Sequence, residues 1–254
     1  MNIIIITQND PFYLSENLEY LIKIFPKPSK IIGCVIFKAS PFGKSESFLK
    51  KIFKTYKIFG FTFFIYYGVK YLINKFFLNR NPRSVLKKYN IPEIKIHSSI
   101  NSKESCETIS SYKPDLLVSI LGNQIFKKSI INLAPKGCLN LHSALLPKYR
   151  GLMPSFWVLK NNESHTGVSV FYVDEGIDSG EIIVQKKIEI NNLSQRELIK
   201  KSKKIGMEAI ADSVELIQKN KVKIIKNNDA EMTYYSFPTR DDVLIFKKLG
   251  KRFF

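Results

Sequence analysis

The chain has 254 residues, 44% of them hydrophobic, and a formal net charge of +18, which suits one large globular domain or one with a small appendage. Cys34, Cys106 and Cys138 lie far apart in apolar surroundings, excluding a disulfide framework or a zinc pattern and fitting a reducing cytoplasm. Only six of the 40 basic residues are Arg, so the charge points less to a nucleic-acid interface than to a Lys-, Ile- and Asn-rich composition, with attraction to phosphate-bearing ligands or anionic lipid as a looser reading.

The apolar run Ile3-Ile4-Ile5-Ile6 predicts a strand over 2–7 of the kind buried in a parallel sheet. Met1 leads into it without a basic stretch or cleavage site, so it reads as a first strand rather than a signal peptide. A turn through Pro11 comes next, then a helix carrying Leu14, Leu18, Leu21 and Ile22, then a second buried strand over 31–37 closed by Pro41 and Gly43.

Residues 48–83 are rich in aromatics and Lys, and 58–69 carry no charge. Twelve uncharged residues cannot cross a bilayer as a helix, which takes about 20. Two inserted helices packing on the sheet are expected within about 44–90; the other reading is an amphipathic surface resting on a membrane or a partner, with lysines at its rim.

Further on, the pattern predicts a strand over 93–97, a helix over 102–112, a strand over 115–121, a helix over 123–132 and a strand over 137–142. Two partner strands, 167–173 and 181–190, flank a Gly-rich loop. Ser194 with Glu197 three residues on forms a capping box opening a helix to about residue 220. This alternation argues for an α/β fold with a doubly wound, mostly parallel Rossmann-like sheet over 1–220 and a short C-terminal extension over 221–254. No Gly-x-Gly-x-x-Gly is present, so a dinucleotide site is unsupported.

The chemistry gathers between 139 and 180. Asn140-Leu141-His142-Ser143-Ala144-Leu145-Leu146-Pro147-Lys148-Tyr149-Arg150-Gly151 is followed by Asp174-Glu175-Gly176-Ile177-Asp178-Ser179-Gly180. Asn140 and His142, two apart on a strand, project to the same side, beyond the carboxyl ends where ligands of such sheets bind. Singly, each residue has a structural explanation: a core histidine, an Asn at a turn, an Asp shaping a hairpin. Together they offer a hydrogen-bond donor, an imidazole and an acid.

These blocks resemble the signature of the folate-dependent formyltransferases: Asn-x-His-x-Ser-Leu-Leu-Pro, then Asp-x-Gly-x-Asp-x-Gly. The likeness is close over about 110–190, and Thr166-Gly167-Val168 also fits. Ala144 departs from the pattern, standing where the family usually has Ser. The resemblance implies 10-formyltetrahydrofolate as formyl donor and transfer to a primary amine through a tetrahedral intermediate bearing an oxyanion. Asn140 is then expected to stabilise the oxyanion, His142 to take the amine's proton, and Asp178 to orient the imidazole or accept a proton through water. The folate pocket would use Leu121, Gly122, Asn123, Ala144, Leu145, Leu146 and Pro147, with the Asp174 loop closing over it. Lys148, Tyr149 and Arg150 lie where an anionic acceptor could dock. No metal is expected: read as a calcium loop, the Asp174 block has Gln185 where a Glu is needed.

The acceptor divides the family. Methionyl-tRNA formyltransferases carry a C-terminal barrel that helps hold the tRNA, and the residues after Val222 are too few for one. Glycinamide ribonucleotide enzymes have a Gly-rich phosphate loop near the N-terminus, where this chain reads Thr7-Gln8-Asn9-Asp10-Pro11. The branch acting on amino sugars carried by nucleotides is favoured, with initiator tRNA or a catalytically silent binding protein as alternatives. The sequence leaves the oligomeric state open, a homodimer included.

Overall fold

The structure is a computed structural model that describes residues 1–38, 48–77, 80–122 and 124–254. Pro41, Gly43 and Asn123, and the start of the expected insertion at 44–47, lie outside the described residues.

In chain order come β1 (Asn2–Gln8), α1 (Leu14–Ile24), β2 (Lys30–Phe37), α2 (Phe48–Phe59) and α3 (Phe61–Leu72). A π turn (Ile73–Phe77) leads to α4 (Pro82–Lys88), α5 (Lys103–Ser111), β3 (Leu116–Ile120), a single-turn α6 (Lys128–Ile131) and β4 (Cys138–His142). Then follow β5 (Arg150–Gly151), α7 (Pro154–Lys160), β6 (His165–Tyr172), β7 (Ile182–Glu189), α8 (Gln195–Gln218), β8 (Tyr234–Tyr235) and α9 (Arg240–Lys248).

Six strands form one sheet in the order β2-β1-β3-β4-β6-β7. The first four are parallel, and β6 and β7 are antiparallel to their neighbours. β1 lies inside and is covered on both faces: Ile3 and Ile5 join the core beneath α1 and α8, while Ile4 and Ile6 join a second cluster with Ile109 of α5 and Ile130 of α6. All four isoleucines are fully buried, each worth about 1.5–3 kcal/mol relative to exposure, so the continuous apolar run produces the central strand.

The capping box forms at the start of α8: Ser194 Oγ accepts from the Glu197 amide, and the Ser194 amide donates to the Glu197 carboxylate. The next amides of that first turn, Gln195 and Arg196, donate to the carbonyls of Arg252 and Phe253. Val243 and Phe246 of α9 and Phe253 belong to the main core, while much of the rest of 221–254 is exposed.

Three expectations need correction. The strand expected over 93–97 reduces to one bridge, Cys34 to Glu93, in which the Cys34 amide donates to the Pro92 carbonyl and the Ile94 amide to the Cys34 carbonyl. The helix expected over 123–132 shrinks to α6 because a side chain captures the backbone before it. Asn101 Nδ2 donates to the Ile125 carbonyl and its Oδ1 accepts from the Lys127 amide, both at 2.8 Å. Finally, α2 and α3 do form, but the pair packs on α9 and the C-terminal aromatics rather than on the sheet. Phe59 and Phe63 stack at 4.3 Å and meet Phe253 at 5.8 and 5.1 Å.

Candidate active site

β4 carries Leu139 and Leu141 toward α8, where the missing side chain of Gly206 admits Leu141. Alternation sends Asn140 and His142 to the opposite face, opposite Phe171 and Ser169 of β6. His142 is buried, and its Nε2 lies 2.7 Å from the Tyr149 carbonyl. A carbonyl only accepts, so Nε2 carries the proton. Its Nδ1 lies 3.4 Å from Asp178 Oδ2. The half-buried Asn140 amide has no hydrogen-bond partner among the described residues. The structure thus brings an imidazole and a carboxylate into contact and leaves a neighbouring amide on the same strand face available to a ligand.

Asp178 sits in the β6–β7 loop in a left-handed backbone conformation, φ +50°. Its Oδ2 also accepts the Gly151 amide at 2.9 Å. Asp174 closes the same loop on itself, its Oδ1 accepting from the Gly176 amide and the Ser179 hydroxyl. At the loop's end a Cβ on Gly180 would collide with the Tyr172 carbonyl, so this return requires glycine.

The segment 144–147 is fixed from below. Ser169 Oγ donates to the Ala144 carbonyl (2.7 Å) and accepts from the Leu146 amide (3.0 Å). Gln185 Nε2 donates to the Leu146 carbonyl (2.8 Å) and to Ser169 Oγ (3.0 Å). These bonds satisfy the polar backbone and leave Leu145 and Pro147 half-buried at the rim, while Ala144 and Leu146 are buried. At the neighbouring strand end, Leu121 has φ +60°. A Cβ on the exposed Gly122 would come within 2.6 Å of Ser119 Oγ and 4.0 Å of Asn140 Oδ1. The bare glycine beside Asn140 leaves a cradle that a flat ligand can approach.

Of the three residues expected on the acceptor side, Lys148 is exposed and the other two turn inward. Tyr149 stacks on Tyr235 at 5.2 Å and donates to Glu163 at 2.6 Å; burial, reinforced by that carboxylate, pushes its pKa up. Arg150 is 5% exposed. Its guanidinium donates to Asn227 Oδ1 at 2.9 Å and pairs with Asp229 at 2.8 Å.

Asn227 is a residue the sequence did not single out. Its Nδ2 donates to the carbonyls of Asp178 and Gly180, both at 2.9 Å. The residues after α8 thereby clamp the acid loop, and they clamp the 149–151 segment through the β5–β8 pairing. A small cavity of about 20 Å³ lies near the ends of β3 and β4, lined by Asn17, Leu121, Leu141, Ser143 and Lys203 among others. Burial lowers the pKa of Lys203, and Asp10 opposes that shift. Neither Asn227 nor Lys203 carries a local sequence signal; Ser169 and Gln185 could have been suspected from strand pairing opposite the motif. Among the described residues no three His, Cys, Asp or Glu side chains gather as metal ligands.

The formyl transferase family pattern matches residues 71–214. Methionyl-tRNA formyltransferases from Alkaliphilus oremlandii and Kosmotoga olearia are 34% and 31% identical to the chain over 166 residues, 65% of its length. The chain spans 53% of the length of each of these relatives. Among solved structures, an N-formyltransferase from Helicobacter canadensis in complex with folinic acid and dTDP-3-aminofucose superposes with a TM-score of 0.56 at 22% identity, covering 94% of this chain and 71% of that one. Glycinamide ribonucleotide transformylase 1 from Symbiobacterium toebii superposes at 0.62 and 13% identity, covering 89% and 94%. These structural likenesses concern the fold.

Proposed function

Since the chain belongs to the formyl transferase family, we propose that it moves a formyl group from 10-formyltetrahydrofolate to a primary amine on a nucleotide-carried sugar. The observation that carries this reading is the contact of His142 with Asp178 beside the Asn140 amide, which has no hydrogen-bond partner among the described residues. The donor supplies a formyl carbon held on nitrogen. The cradle at Gly122 and the apolar rim of Leu145 and Pro147 fit its flat ring system, with the Asp174 loop alongside.

Asn140 donates from its amide to the formyl oxygen as negative charge develops there. Preorganised donors of this kind contribute about a hundred- to a thousandfold in turnover. His142 works at Nδ1, because Nε2 is committed to the Tyr149 carbonyl. The incoming amine gives up its proton to Nδ1, and the imidazolium then has both N–H groups against oxygen, with Asp178 balancing its charge. The same proton returns to the leaving nitrogen, so the ring ends as it began. The Tyr149 carbonyl holds Nε2–H throughout, and Asp178, oriented by the Gly151 amide, accepts from Nδ1–H once the imidazolium forms.

A sugar acceptor is supported by the Helicobacter canadensis enzyme, which resembles this chain over nearly its whole length and was crystallised with dTDP-3-aminofucose. The absence of glycine from residues 7–13 agrees with it. Initiator tRNA is the second reading, favoured by the sequence relatives and by the +18 charge.

The test incubates the protein with formyl donor and a panel of nucleotide-linked amino sugars, with charged initiator tRNA alongside, and follows formylated products by mass. Product on a sugar nucleotide supports the proposal. Product on tRNA alone moves the acceptor to the second reading, and no formylated product from any acceptor overturns the transferase.

A further inference from the structure

Between Phe48 and Arg83 the sequence has eight Lys and Arg residues and no Asp or Glu. The structure divides this stretch into two faces. The inner face is accounted for: Phe59 and Phe63 meet Phe253, Tyr67 meets Phe12 at 5.6 Å, and Asn74 Nδ2 donates to the Pro11 carbonyl at 3.0 Å.

The outer face is different. Along α3 and the π turn, Phe61, Ile65, Val69, Leu72 and Phe76 recur at intervals of three or four and form one ridge. Phe61 and Phe76 are 68% and 67% exposed. On α2, Phe53 and Tyr56 are exposed as well. Lysines flank these rings: Lys57 Nζ lies 4.6 Å from the Phe53 centroid and Lys75 Nζ 5.2 Å from that of Phe76. Arg80 and Arg83 are engaged by Glu16 and Glu93, whereas Lys57 and Lys75 lie against the exposed rings themselves.

We propose that this outer face of α2 and α3 docks on an anionic lipid surface, with the aromatic and aliphatic ridge in the headgroup–acyl boundary and the lysines on lipid phosphates. Apolar residues rimmed by lysine, on a stretch without a single acid, match that chemistry. A second copy of the chain matches it poorly, since a two-fold contact would set basic face against basic face. Each helix has twelve residues, about 18 Å long, and among the described residues no helix is long and apolar enough to cross a membrane. The helices therefore lie along the surface.

The experiment is vesicle flotation with the full chain, comparing phosphatidylglycerol-containing vesicles with pure phosphatidylcholine. The expected result is flotation with the anionic vesicles at low salt, reduced more than about tenfold at 1 M salt, where the screening length shrinks to about 3 Å. Phosphatidylcholine alone should float little protein. The variant Phe61→Ser/Ile65→Ser/Phe76→Ser alters only exposed side chains and should abolish flotation with an unchanged thermal midpoint, and Lys57→Glu/Lys75→Glu should weaken it. The proposal is overturned if the wild-type chain stays with the soluble fraction at low salt. It is equally overturned if the triple variant floats like wild type, or if light scattering shows a wild-type dimer that the triple variant dissociates. None of these outcomes depends on formyl transfer.

Discussion

Asn227→Ala should weaken both the fold and the site, because one side chain ties three pieces of backbone and side chain together. The substitution removes two bonds, to the carbonyls of Asp178 and Gly180, and the acceptor for Arg150. Each neutral bond contributes about 0.5–1.5 kcal/mol and a bond to a charged group about 1.5–3. Arg150 keeps Asp229 as a partner, which moderates the last loss. The expected destabilisation is about 2–4 kcal/mol, a large share of the roughly 5–15 kcal/mol that holds an ordinary domain together. The acid loop also loses its tether, so Asp178 spends less time against His142. If that misplacement adds about 1.4–2.7 kcal/mol to the barrier, kcat falls about ten- to a hundredfold. The donor's KM should change little, since the 144–147 segment is held by Ser169 and Gln185 instead. Urea unfolding and steady-state kinetics on the same preparation make the check. Asn227→Asp provides a second reading: it keeps an acceptor for Arg150 but turns a carboxylate toward two carbonyls, and should lose as much activity or more. Wild-type stability together with wild-type kcat in Asn227→Ala would refute the reasoning. A loss confined to KM would refute the part that runs through Asp178.

Other outcomes follow from the same contacts. His142→Ala should lower turnover about a hundred- to ten-thousandfold and Asn140→Ala about a hundred- to a thousandfold, with circular dichroism unchanged; near-normal rates in either would remove it from the chemistry. Glu19, whose pKa is lowered to about 2 first by Lys88 and then by Lys23, should stay ionised well into acid. Its folded pKa lies below the unfolded one, so its contribution is present above the ordinary carboxylate range and lost as pH falls toward 2. Carboxyl NMR titration should show the low value, with Lys88→Ala raising it. Cys34 is buried on β2 and pushed up to about 12 by that burial, so iodoacetamide at mild pH should leave it intact in the native protein and label it in urea; fast native labelling would contradict its burial.

What the sequence disclosed followed from short-range physics. The isoleucine run specifies β1 because nothing else buries four consecutive branched residues on both faces. The two-residue spacing of Asn140 and His142 settles their shared face, and Asp and Gly near 178 mark a tight loop. What stayed hidden depended on partners distant in sequence. Asn101 unwinds the start of the expected helix near 125 from 24 residues away, and Asn227 reaches the acid loop across 49. No periodicity encodes either contact. Arg150 reads in sequence as a cation for an anionic ligand, but Asn227 and Asp229 draw it inside. α9 was legible in principle: Thr239 and Asp242 form a capping box in the structure, the same signal that marked α8.

The strand that carries the imidazole and the loop that carries the acid should keep different time. β4 is bonded on both flanks, to β3 and to β6, so amides such as Leu139 and Leu141 should exchange with deuterium only when the sheet itself opens. The Gly151 amide has a different guardian. Its neighbours Arg150 and Leu152 donate to backbone carbonyls of residues 233 and 235, but Gly151 donates to the Asp178 carboxylate. Its proton is therefore released whenever the acid swings away, even with every strand intact. Exchange at that single amide counts the openings of the loop, and sets how often Asp178 and His142 part company between turnovers.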